Sequence, residues 1–257
     1  MASKFNIPRY IHSYDPLPGS TDWGENEIIR KATIKILKKY FKTADRLSAV
    51  SPRMVDYFRN LYDLKETQVK TVYMPIHYYD LPQVRSRKIK FLYLGSIYCK
   101  RDPKQLYRVL NDMMENNPTI EFVLAGSKLD RNILIEQYKN FGFGLEFIEW
   151  TDSPDQLIQD CTILLDLNSN TEGDVFISSK LMKYLGYNKP ILVIGHKESA
   201  SYDFSSKFSG VYFASNTQKD IESAMNHIFE SISNELVRKT EVASYSLQNI
   251  VENYINN

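Results

Sequence analysis

The sequence predicts an α/β protein built on a parallel sheet, and three observations lead there. From about Lys88 onward, short runs of apolar and β-branched residues alternate with segments whose apolar side chains recur at helical spacing. The helical segments are long enough to carry the chain from one strand to a parallel neighbour, so the pattern reads as successive βαβ units. Four of the strands run out into polar or glycine tips, namely Gly95-Ser96, Gly126-Ser127, Trp150-Thr151 and Asn168-Ser169-Asn170. Parallel sheets take their ligands at that end.

The elements follow in order. Residues 7–15 read as a strand with a polar tip, 25–41 as an amphipathic, lysine-rich helix, and 46–51 as a second strand. Ser51 caps a helix that starts with Pro52 at its first position and runs through residue 61. A strand over 69–75 leads into a linker over 75–82. In the larger part, strands are expected over 88–94, 119–125, 145–150, 162–167, 190–194 and 211–214. Helices are expected over 103–116, where Leu106, Val109, Leu110 and Met113 form one face, and over 131–141, 153–160 and 217–232. A further helix is opened by Ser178 and Ser179, and a terminal one covers 246–256. The chain divides into a partial α/β region with linker (1–80), a parallel α/β domain (81–235) and a terminal helix segment (236–257). Three strands and two helices are too few for a complete doubly wound domain. The region before Pro75 is therefore expected to expose an apolar sheet face or edge, which marks self-association or a protein partner.

Composition narrows the function classes. Hydrophobic residues at 43% and charged residues at 25% describe a globular chain with a core to bury. A net charge of +1 over 257 residues supplies no general field toward nucleic acid, so none is expected as a partner. The dense stretch Arg85-Ser-Arg-Lys-Ile-Lys90 reads as a solvated linker, since it lacks interleaved aromatics. No apolar run is long enough to span a bilayer, and the first residues have no apolar leader core. Cys99 and Cys161 are isolated, which fits reduced thiols. These features predict a cytoplasmic protein, with a peripheral place at the inner membrane face as an option. His12, His77, His196 and His227 have no metal-ligand spacing, and no metal site or cofactor is expected.

The densest information lies in Asp174-Val-Phe-Ile-Ser-Ser-Lys-Leu-Met-Lys-Tyr-Leu-Gly-Tyr-Asn-Lys-Pro-Ile-Leu-Val-Ile194. A helix starting on small hydroxyl residues offers unpaired N–H groups and a positive dipole end to an anion. Lys180 stands in its first turn, where that dipole opposes it unless an anion offsets the charge. The plainer reading is a capped helix start and nothing more. The segment resembles the donor-binding element of GT-B glycosyltransferases, the group that includes glycogen and sucrose synthase-like enzymes. Their pattern runs roughly Ser-Lys-Leu-Phe-Glu-Tyr-Leu-Ala-x-Gly-Lys-Pro-Ile, and the helix faces the diphosphate of a sugar nucleotide. Two positions depart from it: the family's ribose-binding glutamate is Lys183 here, and an earlier acidic position falls on Val175.

The resemblance extends to the first part of the chain. Thr43-Ala-Asp-Arg-Leu-Ser-Ala-Val-Ser51, a helix, and Val69-Lys-Thr-Val-Tyr-Met-Pro75 look like the last units of the family's N-terminal domain. The strand over 7–15 looks like the unit before them, and the helix over 246–256 like the family's last helix, which crosses back. The front of the N-terminal domain has no counterpart. The implied fold is a Rossmann-like parallel sheet, the GT-B C-terminal domain, with a partial N-terminal α/β region.

What the resemblance implies for chemistry follows from the charge that builds on a leaving diphosphate, which without metal must be met by N–H groups, Lys or Arg. The implied diphosphate group is Gly95, Ser96, Lys100, Arg101, Ser178, Ser179 and Lys180. The implied nucleoside group is Gly126, Trp150, Thr151 and Lys183, and His12 falls near the family's active-site histidine. Against these stand plainer roles: Arg101 paired with Asp102, Trp150 packed in the core, His12 exposed or capping. Cys99 lies near the group but has no His or Asn partner to activate it. The implied function is transfer of a sugar from a nucleotide-sugar donor to a glycan or lipid-linked acceptor, with retention of configuration and without metal. The alternative is a degenerate, non-catalytic protein that binds a nucleotide or depends on a partner. An epimerase of the same fold is a third option, but its paired carboxylates cannot be placed.

Overall fold

The strands lie in two parallel sheets, each with its own core. The structure, a computed structural model, describes residues 8–19, 26–80, 88–97, 101–126, 131–232, 236 and 238–256. Lys100, Cys99 and Ser127 lie outside the described residues.

The smaller sheet has the order β1-β2-β3, from β1 (Tyr10–Ser13), β2 (Arg46–Ala49) and β3 (Val69–Thr71). Register runs His12 to Ser48 to Lys70 across it. Helices α1 (Glu27–Lys42) and α2 (Pro52–Tyr62) pack on it around Leu47, Met54, Phe58 and Tyr62. Ser51 caps α2 by accepting from the Met54 N–H at 3.0 Å, and Asp63 ends it in the left-handed conformation with φ 54°.

The larger sheet has the order β6-β5-β4-β7-β8-β9. Its strands are β4 (Ile89–Leu94), β5 (Ile120–Ala125), β6 (Leu145–Ile148), β7 (Ile163–Leu167), β8 (Ile191–Gly195) and β9 (Val211–Ser215), all parallel. α3 (Lys104–Asn116) and α9 (Gln218–Ser231) bury one face of it; α6 (Pro154–Asp160), α7 (Ser179–Leu185) and α8 (Ala200–Ser205) bury the other. The central strands are covered on both sides, which is why they read as unbroken apolar runs rather than alternating ones.

Several elements differ from expectation. The helix over 131–141 is two pieces, α4 (Arg131–Gln137) and α5 (Phe141–Gly144). Between them Asn140 donates from its backbone and side-chain nitrogens to Asn111, at 3.0 and 3.1 Å, and this draws the chain onto α3. Gly144 lets α5 sit close to α3, because a Cβ there would lie 2.4 Å from the Met114 sulfur and displace that side chain. α8 and α10 (Lys239–Ala243) were not predicted; both are shorter than two turns, too brief for periodicity to register.

The linker is a packed strap. Ile76 is buried in the larger domain's core, its N–H donates to the Tyr245 carbonyl, and the Tyr79 ring stacks on Tyr187 at 4.4 Å. Arg238, fully buried, is beyond the predicted end of that domain yet holds it together. Its guanidinium donates to the carbonyls of Ser209, Tyr187, Lys189 and Gly210, and burial lowers its pKa to about 10. After it, α11 (Leu247–Asn256) reaches the smaller sheet, where Arg46 donates to the Tyr254 carbonyl and Tyr10 meets the Tyr254 ring edge-on.

The region expected to expose an apolar sheet face or edge exposes Tyr10 on the edge strand β1, at 60%, and more apolar surface on a helix. Ile28, Ile29, Ile36 and Tyr40 of α1 are 57–79% exposed.

Candidate functional site

The chain runs outward from β4 through β5 to β6, then returns to the other side of β4 with β7 and proceeds to β8 and β9. Crossovers therefore leave β4 and β7 in opposite directions, and a crevice opens between their carboxyl ends. Gly95, Gly126 and Asn168 follow β4, β5 and β7 directly, and Trp150 lies just past β6. All four sit at the one edge.

Gly95 and Gly126 have φ of +101° and +73°, values that side-chain-bearing residues adopt only under strain. Their N–H groups continue the ladder to the Ala125 and Ile148 carbonyls, at 2.7 and 2.8 Å. Backbone conformation, not space, calls for glycine here, since a Cβ on Gly95 would be in ordinary contact with the Lys180 side chain at 3.7 Å. Ser96 donates to the Gly126 carbonyl at 3.2 Å and ties the two tips together.

α7 is capped by Ser178, whose hydroxyl accepts from the Leu181 N–H at 3.1 Å and donates to Asp166 at 2.8 Å. At seven residues the helix develops little dipole, so side-chain charge decides the electrostatics here. The anion that offsets Lys180 is internal: Asp166, a fully buried carboxylate in the middle of β7, lies 3.9 Å from its Nζ. Asp166 also accepts from the Asn168 amide at 2.9 Å. The other amide atom, Asn168 Oδ1, is buried without a hydrogen-bond partner.

Lys180 and Arg101 converge on one hydroxyl. The ammonium donates to the Tyr93 hydroxyl at 2.9 Å and stands 4.1 Å from the centre of its ring. Arg101 hydrogen-bonds to the same hydroxyl, and the Asp102 carboxylate accepts from the Lys104 N–H at 3.0 Å. Burial raises the Tyr93 pKa to about 12, and the phenol stays neutral. Two cations thus share an uncharged acceptor, and the buried Asp166 carboxylate lies beside one of them, Lys180.

The flanking residues divide. Trp150 is 77% exposed, donating to Asp152 at 3.1 Å; it is not a core residue. The Thr151 hydroxyl accepts from the Ser153 N–H. Ser179 is exposed. Lys183 forms an ion pair with Asp155 at 2.5 Å, at the start of α6 and just past the Trp150 loop. That ammonium, with the Tyr187 hydroxyl, holds the Asp155 carboxyl below its ordinary range. His12 lies on the other sheet, with Nδ1 2.8 Å from the Ser48 hydroxyl and the ring edge-on to Tyr14. Desolvation lowers its pKa. Among the described residues no hydrogen bond or ion pair connects it to the Tyr93 group. The two sheets nonetheless meet at their carboxyl ends: Ser51 donates to the Val175 carbonyl at 2.7 Å, and Arg53 pairs with Asp203. No group of three metal-ligating side chains occurs among the described residues.

Sequence reasoning placed Asn168 at this edge but missed Tyr93 and Asp166. The signal for Asp166 was present, one carboxylate inside the otherwise apolar run Ile-Leu-Leu-Asp-Leu. A charge in a strand buried on both faces requires a partner.

Solved structures share this fold. TarM from S. aureus superposes with a TM-score of 0.72 at 15% identity, covering 98% of this chain and 50% of TarM. HepE from Anabaena, in complex with UDP-glucose, gives 0.71 at 12% identity, over 100% of this chain and 74% of HepE. WaaG, a glycosyltransferase involved in lipopolysaccharide biosynthesis, gives 0.62 at 9% identity, over 100% and 76%. This is the GT-B glycosyltransferase fold. No protein-family model and no curated protein sequence matches the chain. The chain spans half the length of TarM, and the likeness at these identities is one of GT-B fold.

Proposed function

We propose that this chain binds the diphosphate of a nucleotide sugar in the crevice between β4 and β7 and takes part in transfer of the sugar. The observation that carries the reading is the pair Lys180 and Arg101 on the single neutral hydroxyl of Tyr93. Two cations gathered on a neutral phenol at a switch point suit an anionic ligand, and a diphosphate oxygen is a better acceptor than a phenol. In this reading Lys180, Arg101 and Lys100 meet the diphosphate, with Ser96, Ser178 and Ser179 lining it and Gly95 giving close approach. Gly126, Trp150 and Thr151 border the nucleoside, the exposed indole offering a face on which a base can stack. The residues 1–80 are then the acceptor side with its linker, 81–235 the donor domain, and 236–257 the return segment. His12 faces the sugar across the cleft.

HepE's complex with UDP-glucose makes UDP the first nucleotide to try. The remaining terms of the proposal are retention of configuration, independence of metal, and a glycan or lipid-linked acceptor. A second reading is supported by Lys183: its ion pair with Asp155 replaces the ribose-accepting carboxylate by a donor, which suits a partner-dependent or non-catalytic nucleotide binder.

Titration with UDP, ADP and GDP tests the site, followed by calorimetry and by quenching of indole fluorescence. Saturable binding is expected, with quenching that is lost in Trp150→Leu. No binding of any of the three at millimolar concentration refutes the donor site. Binding without transfer or hydrolysis of the sugar nucleotide favours the second reading.

A further inference from the structure

β9 is the last strand of the larger sheet, and no strand among the described residues pairs with its outer side. One hydrogen bond fixes which backbone groups face that way. The Gly210 carbonyl accepts from the Ile191 N–H at 3.0 Å and so points to β8. Across a trans peptide the next N–H, that of Val211, points outward. The alternation of a strand then turns the N–H and C=O of Val211, Phe213 and Ser215 to the same outer side. Of these, the Ser215 carbonyl also accepts from the Thr217 N–H at 2.7 Å.

Exposed edges are commonly guarded by charge, proline or a covering element. The opposite edge strand, β6, carries the exposed Glu146. β9 reads Val-Tyr-Phe-Ala-Ser, without charge or proline, and a groove of about 400 Å³ opens between it and α9. Asp220, Ser223 and His227, spaced i, i+3, i+7 on α9, line this groove, and Lys197, just past β8, borders it.

We infer that β9 is a dimerisation edge, pairing antiparallel with β9 of a second copy of this chain about a two-fold axis at Phe213. The strand is self-complementary in that arrangement. Its outward groups stand at the centre and at both ends, so Phe213 exchanges two backbone bonds with its own equivalent and Val211 pairs with Ser215. The same axis suits α9. At about 3.3 Å per strand residue Phe213 stands ~7 Å back from Ser215. At about 1.5 Å per helical residue Ser223 stands ~7.5 Å along from Gln218, level with it. A two-fold there sets Asp220 of each copy against His227 of the other, a carboxylate acceptor against an imidazole N–H. This double match selects a second copy over an unrelated extended peptide, which would use the strand and leave the helix stripe unmet. The inference rests on β9 and α9 and is independent of the nucleotide site.

The test is analytical ultracentrifugation of the full chain, where a monomer–dimer equilibrium is expected. Ser223→Glu brings like charges together at the axis from a side chain that is exposed in the single copy. It should weaken the dimer at least about ten-fold, with circular dichroism unchanged. Asp220→Lys and His227→Glu should each weaken it alone, yet the two folded variants should form a heterodimer when mixed, because mixing restores one native contact and sets an ammonium against a carboxylate at the other. A parent that stays monomeric at its highest soluble concentration overturns the inference. So does a dimer within two-fold of the parent in Ser223→Glu, or a mixture of the two folded variants that stays monomeric. A dimer lost in Ile29→Ser with Ile36→Ser but kept in Ser223→Glu places the interface on α1 and overturns it as well.

Discussion

Replacing Lys180 and Arg101 with alanine, singly and together, tests the donor site through the geometry that defines it. Each makes a charge-assisted hydrogen bond to Tyr93 that a phosphate oxygen would take over, and such bonds contribute about 1.5–3 kcal/mol. At about 1.4 kcal/mol per decade, each single variant should lose roughly 10- to 150-fold in UDP affinity. The double variant should lose less than the product of the two. Both cations meet at one hydroxyl, and residues in one network couple by about 0.5–3 kcal/mol. Folding should survive the loss of Lys180, because Asp166 retains its hydrogen bonds from Ser178 and Asn168. Isothermal titration at about 50 and 500 mM salt gives the four affinities of the cycle and their screening. Lys219→Ala, an exposed lysine on α9, serves as the control. Single variants within two-fold of the parent would refute the assignment, and strict additivity would refute the shared hydroxyl.

Two further predictions follow from the flanking groups. Lys183→Glu alone would set two carboxylates together at Asp155, so the informative variant is Lys183→Glu with Asp155→Asn. Its ratio of affinities for UDP over 2′-deoxy-UDP should rise several-fold, since a carboxylate accepts from both ribose hydroxyls and an ammonium from neither; an unchanged ratio removes residue 183 from the ribose. His12 has a folded pKa below its ordinary 6.5, so the unfolded chain binds the proton more readily. Its contribution to stability is complete above about pH 6.5 and is lost as pH falls through the folded value. Urea midpoints of the parent should therefore drop on acidification, and the His12→Gln variant should show a shallower slope; equal slopes assign the effect elsewhere.

Most strands and long helices were legible because their periodicity is imposed by burial. α3 shows its apolar face at Leu106, Val109 and Leu110, and β8 must be apolar throughout because helices cover both its faces. The tips at Gly95, Gly126 and Asn168 were legible as breaks in those runs. What sequence spacing did not carry is pairing across strands. That Lys180 of α7 meets Tyr93 of β4 depends on β4 and β7 becoming neighbours after three crossovers. Trp150 reads equally well as core or surface until β6 is seen to end at Ile148. Lys183 and Asp155 are likewise brought together by α6 and α7 sharing a face, which no local pattern encodes.

The same distinction separates the two sides of the cleft. Tyr93 and Asp166 lie on the paired strands β4 and β7 and are fixed as firmly as the larger sheet, whereas Lys180 reaches them from the first turn of α7. His12 belongs to a sheet with its own core, joined to the other by the Ser51–Val175 hydrogen bond, the half-exposed Arg53–Asp203 pair, the strap over 74–80 and α11. An ion pair that exposed is worth at most about 1 kcal/mol. The apolar packing of Val175 and Phe176 against the smaller core is therefore the stronger tie. Those two residues stand in the loop that leads into Ser178, so a displacement of the smaller sheet acts first on the start of α7 and on Lys180. On the proposed reading, nucleotide bound at the start of α7 also steadies that loop, so it should slow amide exchange at Val175 and Phe176 as well as at Lys180, and unchanged exchange at Val175 and Phe176 would separate the loop from the site.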